Sequence, residues 1–89
     1  MNRYYVVFTG RVQGVGFRWT VQMLANKYGY TGWIRNMYNG NVEMCIQGRN
    51  LNIYEFINAI NKSSRWISID DFSIKPLEAD LSERSFWVR

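Results

Sequence analysis

Apolar residues recur with two different periods along the chain, and the changes of period mark its secondary structure. Runs of β-branched and aromatic residues, bounded by glycine, proline or polar turns, predict extended strands. These runs cover residues 4–9, 31–36, 41–47, 66–76 and 85–88. In the third run, Val42, Met44 and Ile46 alternate with residues 43, 45 and 47, so one side of that strand is predicted to face the core.

Two other segments follow the helical period of 3.6 residues. In the first, apolar residues fall at i, i+4, i+7, i+8 and i+11, namely Phe17, Val21, Leu24, Ala25 and Tyr28. Gly29 is placed to end this helix as a left-handed cap. In the second, the apolar face consists of Ile53, Phe56, Ile57 and Ile60. Either Asn50 or Asn52 is predicted to be its N-cap.

Two local signals complete the pattern. The Asn39-Gly40 pair between two strand-like runs predicts a hairpin, because both residues tolerate positive φ. The alternation of apolar and polar residues in the fourth strand is interrupted at Asp70-Asp71. Beyond this point the apolar residues Phe72 and Ile74 fall on even-numbered positions, whereas the isoleucines of this strand before it fall on odd-numbered ones. A bulge or bend is therefore predicted there. Residues 78–84 are polar and are predicted to form a loop.

The predicted order is strand–helix–strand–strand–helix–strand, with one short strand added at the end. Each helix has a single apolar face, so both helices must cover the same side of one sheet. The sequence therefore predicts an α+β fold, a two-layer α/β sandwich of the ferredoxin-like βαββαβ kind with a short extra C-terminal strand. A length of 89 residues predicts one domain over 1–89.

Composition restricts the chemistry that this domain can perform. The chain has no histidine and a single cysteine, Cys45, which lies in an apolar run and is predicted to fill the core. Disulfide frameworks, the usual zinc and haem sites, and Ser–His or Cys–His catalytic sites are thereby excluded. No apolar stretch approaches the roughly 20 residues that span a bilayer, and no signal pattern begins the chain, so a cytoplasmic location is expected. The net charge of +4 fits either an ordinary basic surface or attraction of an anionic ligand.

The connection between the first strand and the first helix has the features of an anion site. Gly10, Gly14 and Gly16 space this loop, and glycines let successive backbone N–H groups turn toward one point. The helix that follows adds its free N–H groups and the positive end of its dipole. Arg18 lies in its first turn, and a planar guanidinium suits a tetrahedral oxyanion. These residues fit either a phosphate site or a plain tight connection with a solvated Arg18.

Two segments resemble the signature motifs of the acylphosphatase family. Residues 10–18, Gly-Arg-Val-Gln-Gly-Val-Gly-Phe-Arg, match the signature loop at every position. Residues 31–36, Thr-Gly-Trp-Ile-Arg-Asn, resemble the second signature, and a short turn to Gly40 follows as in the family. The resemblance extends over essentially the whole chain in length and element order. Taken alone, Asn36 would rather be interpreted as a strand-end residue that satisfies turn backbone.

The resemblance implies a metal-independent hydrolase that cleaves the carboxyl–phosphate bond of small acyl phosphates by direct in-line attack of water. It implies that Asn36 positions the water and that Arg18 binds the phosphate. The implied phosphate-binding residues are Gln13, Gly14, Val15, Gly16, Phe17 and Arg18. No cofactor is expected, and inorganic phosphate or sulfate is expected to compete with the substrate. A carboxylate leaving group has a pKa near 4 and needs no general acid, which agrees with the lack of histidine.

Two tryptophans and two arginines are predicted to lie outside the site, and two other functions stay open. Trp19 and Trp33 are predicted to pack against the protein, and Arg11 and Arg35 are predicted to be solvated.

RNA-recognition domains share this element order, but the strand on which they stack bases contains aromatic residues, and the run 42–47 has none. A third alternative is an acylphosphatase-like domain of a larger carbamoyl-transfer protein. The length favours a stand-alone enzyme, with a monomer as the default and no nucleic acid or membrane as partner.

Overall fold

Two helices cover one face of a five-stranded sheet in a computed structural model that describes residues 1–89. The elements in chain order are β1 (Asn2–Arg11), α1 (Phe17–Tyr28), β2 (Thr31–Asn36), β3 (Val42–Gly48), α2 (Ile53–Lys62), β4 (Ser68–Leu77) and β5 (Phe86–Val88). The predicted fold class and element order are thus confirmed. Neither helix is long and apolar enough to cross a membrane.

The strand order explains how distant parts of the chain meet at one edge of the sheet. The order is β4-β1-β3-β2-β5, and every neighbouring pair is antiparallel except β2 and β5. Because β1 and β2 both run antiparallel to β3, they are parallel to each other, and β5 runs the same way. The C-terminal ends of β1, β2 and β5 therefore lie along the same edge.

The core lies between the helices and the sheet. Val42, Met44 and Ile46 face it with no exposed surface, as the alternation predicts. The other side of β3 is also buried, although only one side was expected to be. The 78–84 loop lies on that side, where Gln47 Nε2 donates to the Asp80 carbonyl at 2.9 Å and Gln47 Oε1 accepts from the Asp80 N–H at 2.7 Å.

The predicted irregularity of the fourth strand is confirmed and its boundaries shift. Thr9 pairs with Asp71 and Gly10 pairs with Ile69, so Asp70 is left out of the ladder as a bulge. The strand begins two residues later than predicted, at Ser68, and runs one residue beyond Pro76. Proline is tolerated there because β4 is an edge strand, on which a missing N–H faces solvent.

The helix ends follow the sequence signals, and one residue of the predicted apolar face of α1 does not. Gly29 caps α1 at φ 75°, and Asn52 caps α2 by accepting from the Glu55 N–H at 3.2 Å. Asn50 is instead a left-handed residue at φ 57°. Tyr28, which was predicted on the buried face of α1, is half exposed and stacks on Tyr30 with ring centroids 5.7 Å apart.

The β2–β3 hairpin forms, but with a longer connection than a two-residue turn. The Met37 N–H donates to the Asn41 carbonyl at 2.8 Å and closes the loop. Gly40 takes a positive φ of 92°, whereas Asn39 does not. The Asn39 side chain instead accepts from the Asn41 N–H at 3.0 Å, which stabilises the loop directly after Asn36.

Candidate active site

The loop after β1, the end of β2 and the end of β5 enclose a cavity of about 350 Å³ at their common edge. It is lined by Val12, Gln13, Gly14, Gly16, Phe17, Arg18, Trp19, Gln22, Asn36 and Val88. Arg18 and Asn36, which are 18 positions apart in the sequence, thus lie on one cavity. Arg18 is the only charged residue of the lining, so no Asp or Glu side chain opposes an incoming anion.

The loop leaves its backbone donors without acceptors in the backbone of the protein. Gly14 and Gly16 have φ values of 74° and 75°, in the left-handed region that glycine occupies without a steric penalty. None of the N–H groups of residues 13–19 donates to another backbone group. These unpaired donors belong to a glycine-containing loop that lines the cavity, and successive free N–H groups in such a loop bind anions.

The beginning of α1 supports the same electrostatic preference. Gly16 is its N-cap and provides no side-chain hydrogen bond to the free N–H groups. The first turn contains no acidic residue. The partial positive charge of a helix N-terminus, about half an elementary charge, therefore stays available to a bound anion.

Three predicted phosphate-binding residues use their side chains to hold the loop in place. Gln13 Nε2 donates to the carbonyls of Met37 and Asn41, at 2.9 and 2.8 Å, and so ties the loop to the β2–β3 hairpin. Phe17 is buried and packs edge-to-face on another core phenylalanine. Val15 is half-buried against the core. Only the backbone N–H groups of these three residues are thus free for a ligand.

Arg18 is half-buried and held in position from one side. Its Nη1 donates to the main-chain oxygen of Arg89 at 2.9 Å. A guanidinium has five N–H donors, so one bond to Arg89 leaves the others for the cavity. The hydrogen bond restricts a long side chain that would otherwise lose more rotamer freedom on binding a ligand.

The side-chain oxygen of Asn36 accepts no hydrogen bond from the protein. This atom, Oδ1, is buried and makes no hydrogen bond, the one such side-chain atom in the chain. An unsatisfied buried acceptor costs about 1–3 kcal/mol, so it is uncommon without a functional reason. The turn backbone that Asn36 was expected to satisfy, in the absence of the family motif, is instead bonded by Gln13 and Asn39. Asn36 also lines a second cavity, of about 570 Å³, on the hairpin side.

Sequence reasoning missed part of the cavity wall. Trp19 was expected to pack against the protein, but 65% of it is exposed, at the mouth of the cavity. Gln22 and Val88 complete this side of the cavity. The available signal was the helical period, because Trp19 falls between the positions of the apolar face that begins at Phe17.

Trp33 and the flanking arginines lie outside the cavity. Trp33 is half-buried, with the Arg89 guanidinium 4.7 Å and the Arg35 guanidinium 5.9 Å from its ring centroid. Arg35 was expected to be free in solvent, but it pairs with Glu43 at 2.6 Å. This hydrogen bond and the charge of Glu43 raise the pKa of Arg35 above its usual value. Arg11 is exposed, as predicted.

No three His, Cys, Asp or Glu side chains lie close enough together anywhere in residues 1–89 to hold a metal ion. The donors that face the cavity are N–H groups and a carboxamide, which suit an anion and a water molecule rather than a cation.

Comparison with known proteins agrees with this geometry. Residues 4–88 match the sequence model of the acylphosphatase family. An acylphosphatase of Clostridium beijerinckii is 38% identical over 89 residues, which is 100% of this chain and 99% of the relative. The crystal structure of acylphosphatase from Bacillus subtilis superposes with a TM-score of 0.89, at 32% identity, over 100% of this chain and 99% of that one. The crystal structure of T. kodakarensis HypF superposes with a TM-score of 0.83 at 28% identity. This match covers 100% of this chain and 12% of that one.

Proposed function

The chain belongs to the acylphosphatase family, and we propose that it hydrolyses small acyl phosphates at the cavity between β1, β2 and β5, with Arg18 and Asn36 as its catalytic pair. The observation that supports these two residues is their position on one cavity that is also lined by unbonded backbone donors. The products are a carboxylate and inorganic phosphate.

The phosphate group binds in the loop of residues 13–18. Backbone N–H groups contact its oxygens, and the free N–H groups of Arg18 bind it from the other side. The guanidinium and the helix N-terminus neutralise the charge that spreads over the equatorial oxygens in the transition state. These groups are already in place before the substrate arrives, so little reorganisation opposes the reaction.

Water attacks phosphorus in line with the bond to the acyl oxygen. A bond forms from the water oxygen to phosphorus, the acyl oxygen–phosphorus bond breaks, and its electron pair leaves with the carboxylate. The carboxylate is stable at pH 7 without a proton, so no general acid takes part. The water proton passes to a phosphate oxygen. No covalent intermediate with the protein forms.

Asn36 aims the attacking water. Rotation of its carboxamide about χ2, a soft torsion for asparagine, turns the unpaired Oδ1 toward the cavity, where a water O–H can donate to it. A neutral amide cannot remove the proton at pH 7, so its contribution is positioning.

Two other functions are less well supported. An RNA-binding module needs exposed aromatics on the central strand, whereas β3 contains none and is buried along its whole length. The match with the acylphosphatase of C. beijerinckii covers nearly all of both chains, whereas this chain covers 12% of HypF, so an acylphosphatase domain over 1–89 is better supported than a carbamoyl-transfer function. The monomeric state, the cytoplasmic location and the lack of a nucleic-acid partner stay predictions.

The function is tested by following the absorbance of benzoyl phosphate during incubation with the purified protein. We expect catalysed loss of the substrate with the wild-type chain and close to none with the Arg18→Ala variant. A wild-type protein that does not accelerate hydrolysis would contradict the proposed function.

Inorganic phosphate and sulfate are expected to inhibit competitively and to raise the melting temperature. An anion that binds only the folded loop stabilises the protein by about 1.4 kcal/mol at ten times its Kd. For a domain of this size, this corresponds to a rise of roughly 6–11 °C in Tm. Thermal unfolding at constant ionic strength, with chloride as the control anion, measures the effect. Equal stabilisation by chloride would mean that the loop has no specific anion site.

Activity is expected to persist in excess EDTA. The proposed site neutralises phosphate with a guanidinium and backbone N–H groups, so removal of divalent cations takes nothing from the transition state. Initial rates with benzoyl phosphate, measured before and after dialysis against EDTA, provide the test. Loss of activity that added Mg²⁺ or Zn²⁺ restores would count against this site.

A further inference from the structure

We propose that Trp19 and Val88 form a binding site for the acyl group, and that it favours aromatic or bulky apolar acyl chains over acetyl or charged ones. This inference rests on the proposed function and names the substrate class of the same site. The two residues form the apolar part of the cavity mouth that is left exposed.

The wall is built from one turn of α1 and the end of β5. Trp19 and Gln22 are three residues apart and so share a face of α1. Phe86 and Val88 are two residues apart and share a face of β5. Gln22 Nε2 donates to the Phe86 carbonyl at 3.1 Å and fixes the two elements together. Trp19 and Val88, which both line the cavity, therefore belong to two elements that this hydrogen bond holds together.

The exposure of this wall is not explained by packing. Trp19 is 65% exposed and Val88 is 39% exposed. The Trp19 ring takes part in no aromatic pair and lies under no cation, whereas Trp33 and Trp66 each lie beside an arginine. An indole offers a large rigid apolar surface at a low cost in conformational entropy, which makes an exposed one beside a cavity a suitable ligand contact.

In-line attack determines on which side of the phosphate the acyl group lies. The leaving oxygen must stand opposite the attacking water, so the acyl chain points away from Asn36. The second cavity is lined by Asn36 and by residues of the hairpin that include Tyr38, so it adjoins the residue that is proposed to hold the water. The remaining space for the acyl chain is the mouth of the first cavity, where Trp19 and Val88 lie.

The size and charge of the first cavity narrow the class of acyl group. Its volume is about 350 Å³, and a phosphate group occupies the bulk of only a few water molecules, at about 30 Å³ each. The remaining room accommodates a group as large as a benzene ring. Arg18 is the only cation of the lining and is assigned to the phosphate, so a negatively charged acyl chain has no second partner.

The test compares benzoyl phosphate with acetyl phosphate as substrates. For the wild type, kcat/KM is expected to be higher with benzoyl phosphate. In Trp19→Ala, the ratio of kcat/KM for benzoyl phosphate to kcat/KM for acetyl phosphate is expected to fall about fivefold to tenfold, because the benzoyl ring loses its apolar contact. In Val88→Ala, the same ratio is expected to fall by a smaller factor. The inhibition constant of inorganic phosphate should stay unchanged, because the loop is intact. Trp19→Phe should restore most of the preference.

Two control variants make the test specific. Trp87 precedes Val88 on β5, is 62% exposed and faces the opposite side of the sheet, so Trp87→Ala should leave the ratio unchanged. Tyr38 is fully exposed beside the second cavity, so Tyr38→Ala should also leave it unchanged.

An unchanged ratio in Trp19→Ala, or a fall in Tyr38→Ala instead, would overturn the assignment of the acyl site and leave the hydrolase function standing. A wild type that hydrolyses neither substrate would remove the function and this inference together.

Discussion

Replacing Arg18 by alanine is expected to reduce kcat/KM for benzoyl phosphate by about 10³–10⁵, equivalent to ~4–7 kcal/mol of transition-state stabilisation. Arg18 provides the only charged side chain of the cavity, so nothing else in the lining replaces it. The Arg18→Lys variant should recover little of the loss, since an ammonium is a point charge and cannot reproduce the planar fork of a guanidinium.

The structural consequence of this substitution needs a separate control. Arg18 also donates to the main-chain oxygen of Arg89, so its loss is expected to loosen the end of β5. Circular dichroism and thermal unfolding should show that Arg18→Ala remains folded. Arg11→Ala removes the same charge from an exposed position outside the cavity and should keep nearly full activity. More than a tenth of wild-type turnover in folded Arg18→Ala would show that the assignment of Arg18 is wrong.

Replacing Asn36 by alanine is expected to lower turnover at least 100-fold while sparing the binding of phosphate. A misplacement of about 1 Å in a reacting group alone costs about 10²-fold in rate. The substitution breaks no hydrogen bond within the protein, because the Asn36 Oδ1 has none, so the variant should be at least as stable as the wild type. Steady-state kinetics and thermal unfolding on the same preparation measure both effects.

The Asn36→Asp variant separates charge from shape. It keeps an acceptor oxygen in the same place but puts a negative charge beside an incoming dianion, so both turnover and phosphate affinity should fall. Asn39→Ala is the matched control, because it removes an asparagine of the same hairpin that bonds only the Asn41 N–H. This control should keep turnover within a few-fold of the wild type.

Most of the fold could be predicted from the sequence because local signals and burial agree. The change from a period of 2 to one of 3.6 at Phe17, the glycine at the end of α1 and the parity slip at Asp70-Asp71 each correspond to a feature of the structure. The second buried side of β3 could not be predicted. It depends on hydrogen bonds between Gln47 and a loop more than 30 residues away in the sequence. A local pattern of residues cannot predict such a contact.

The sequence indicated residues that the structure brings to one cavity, but it did not predict how they pack. Glycines before a helix and an arginine in its first turn indicate an anion site by elementary chemistry, and the resemblance supplied Asn36. The side-chain contacts of Gln13 could not be anticipated, since its two acceptors lie on a hairpin that is distant in sequence. The prediction for Trp19 was wrong because it took the size of the side chain as a sign of packing, although the helical period places Trp19 off the apolar face of α1.

The division of labour between Arg18 and Asn36 is the central claim, and the phosphate affinity of folded Asn36→Ala tests it most directly. Isothermal titration of inorganic phosphate into this variant, the wild type and Arg18→Ala gives the three values on one scale. We expect Asn36→Ala to bind phosphate within a few-fold of the wild type although it no longer turns over substrate, and Arg18→Ala to bind it far more weakly. A loss of affinity in Asn36→Ala as large as that in Arg18→Ala would mean that Asn36 holds the phosphate itself and does not position the water.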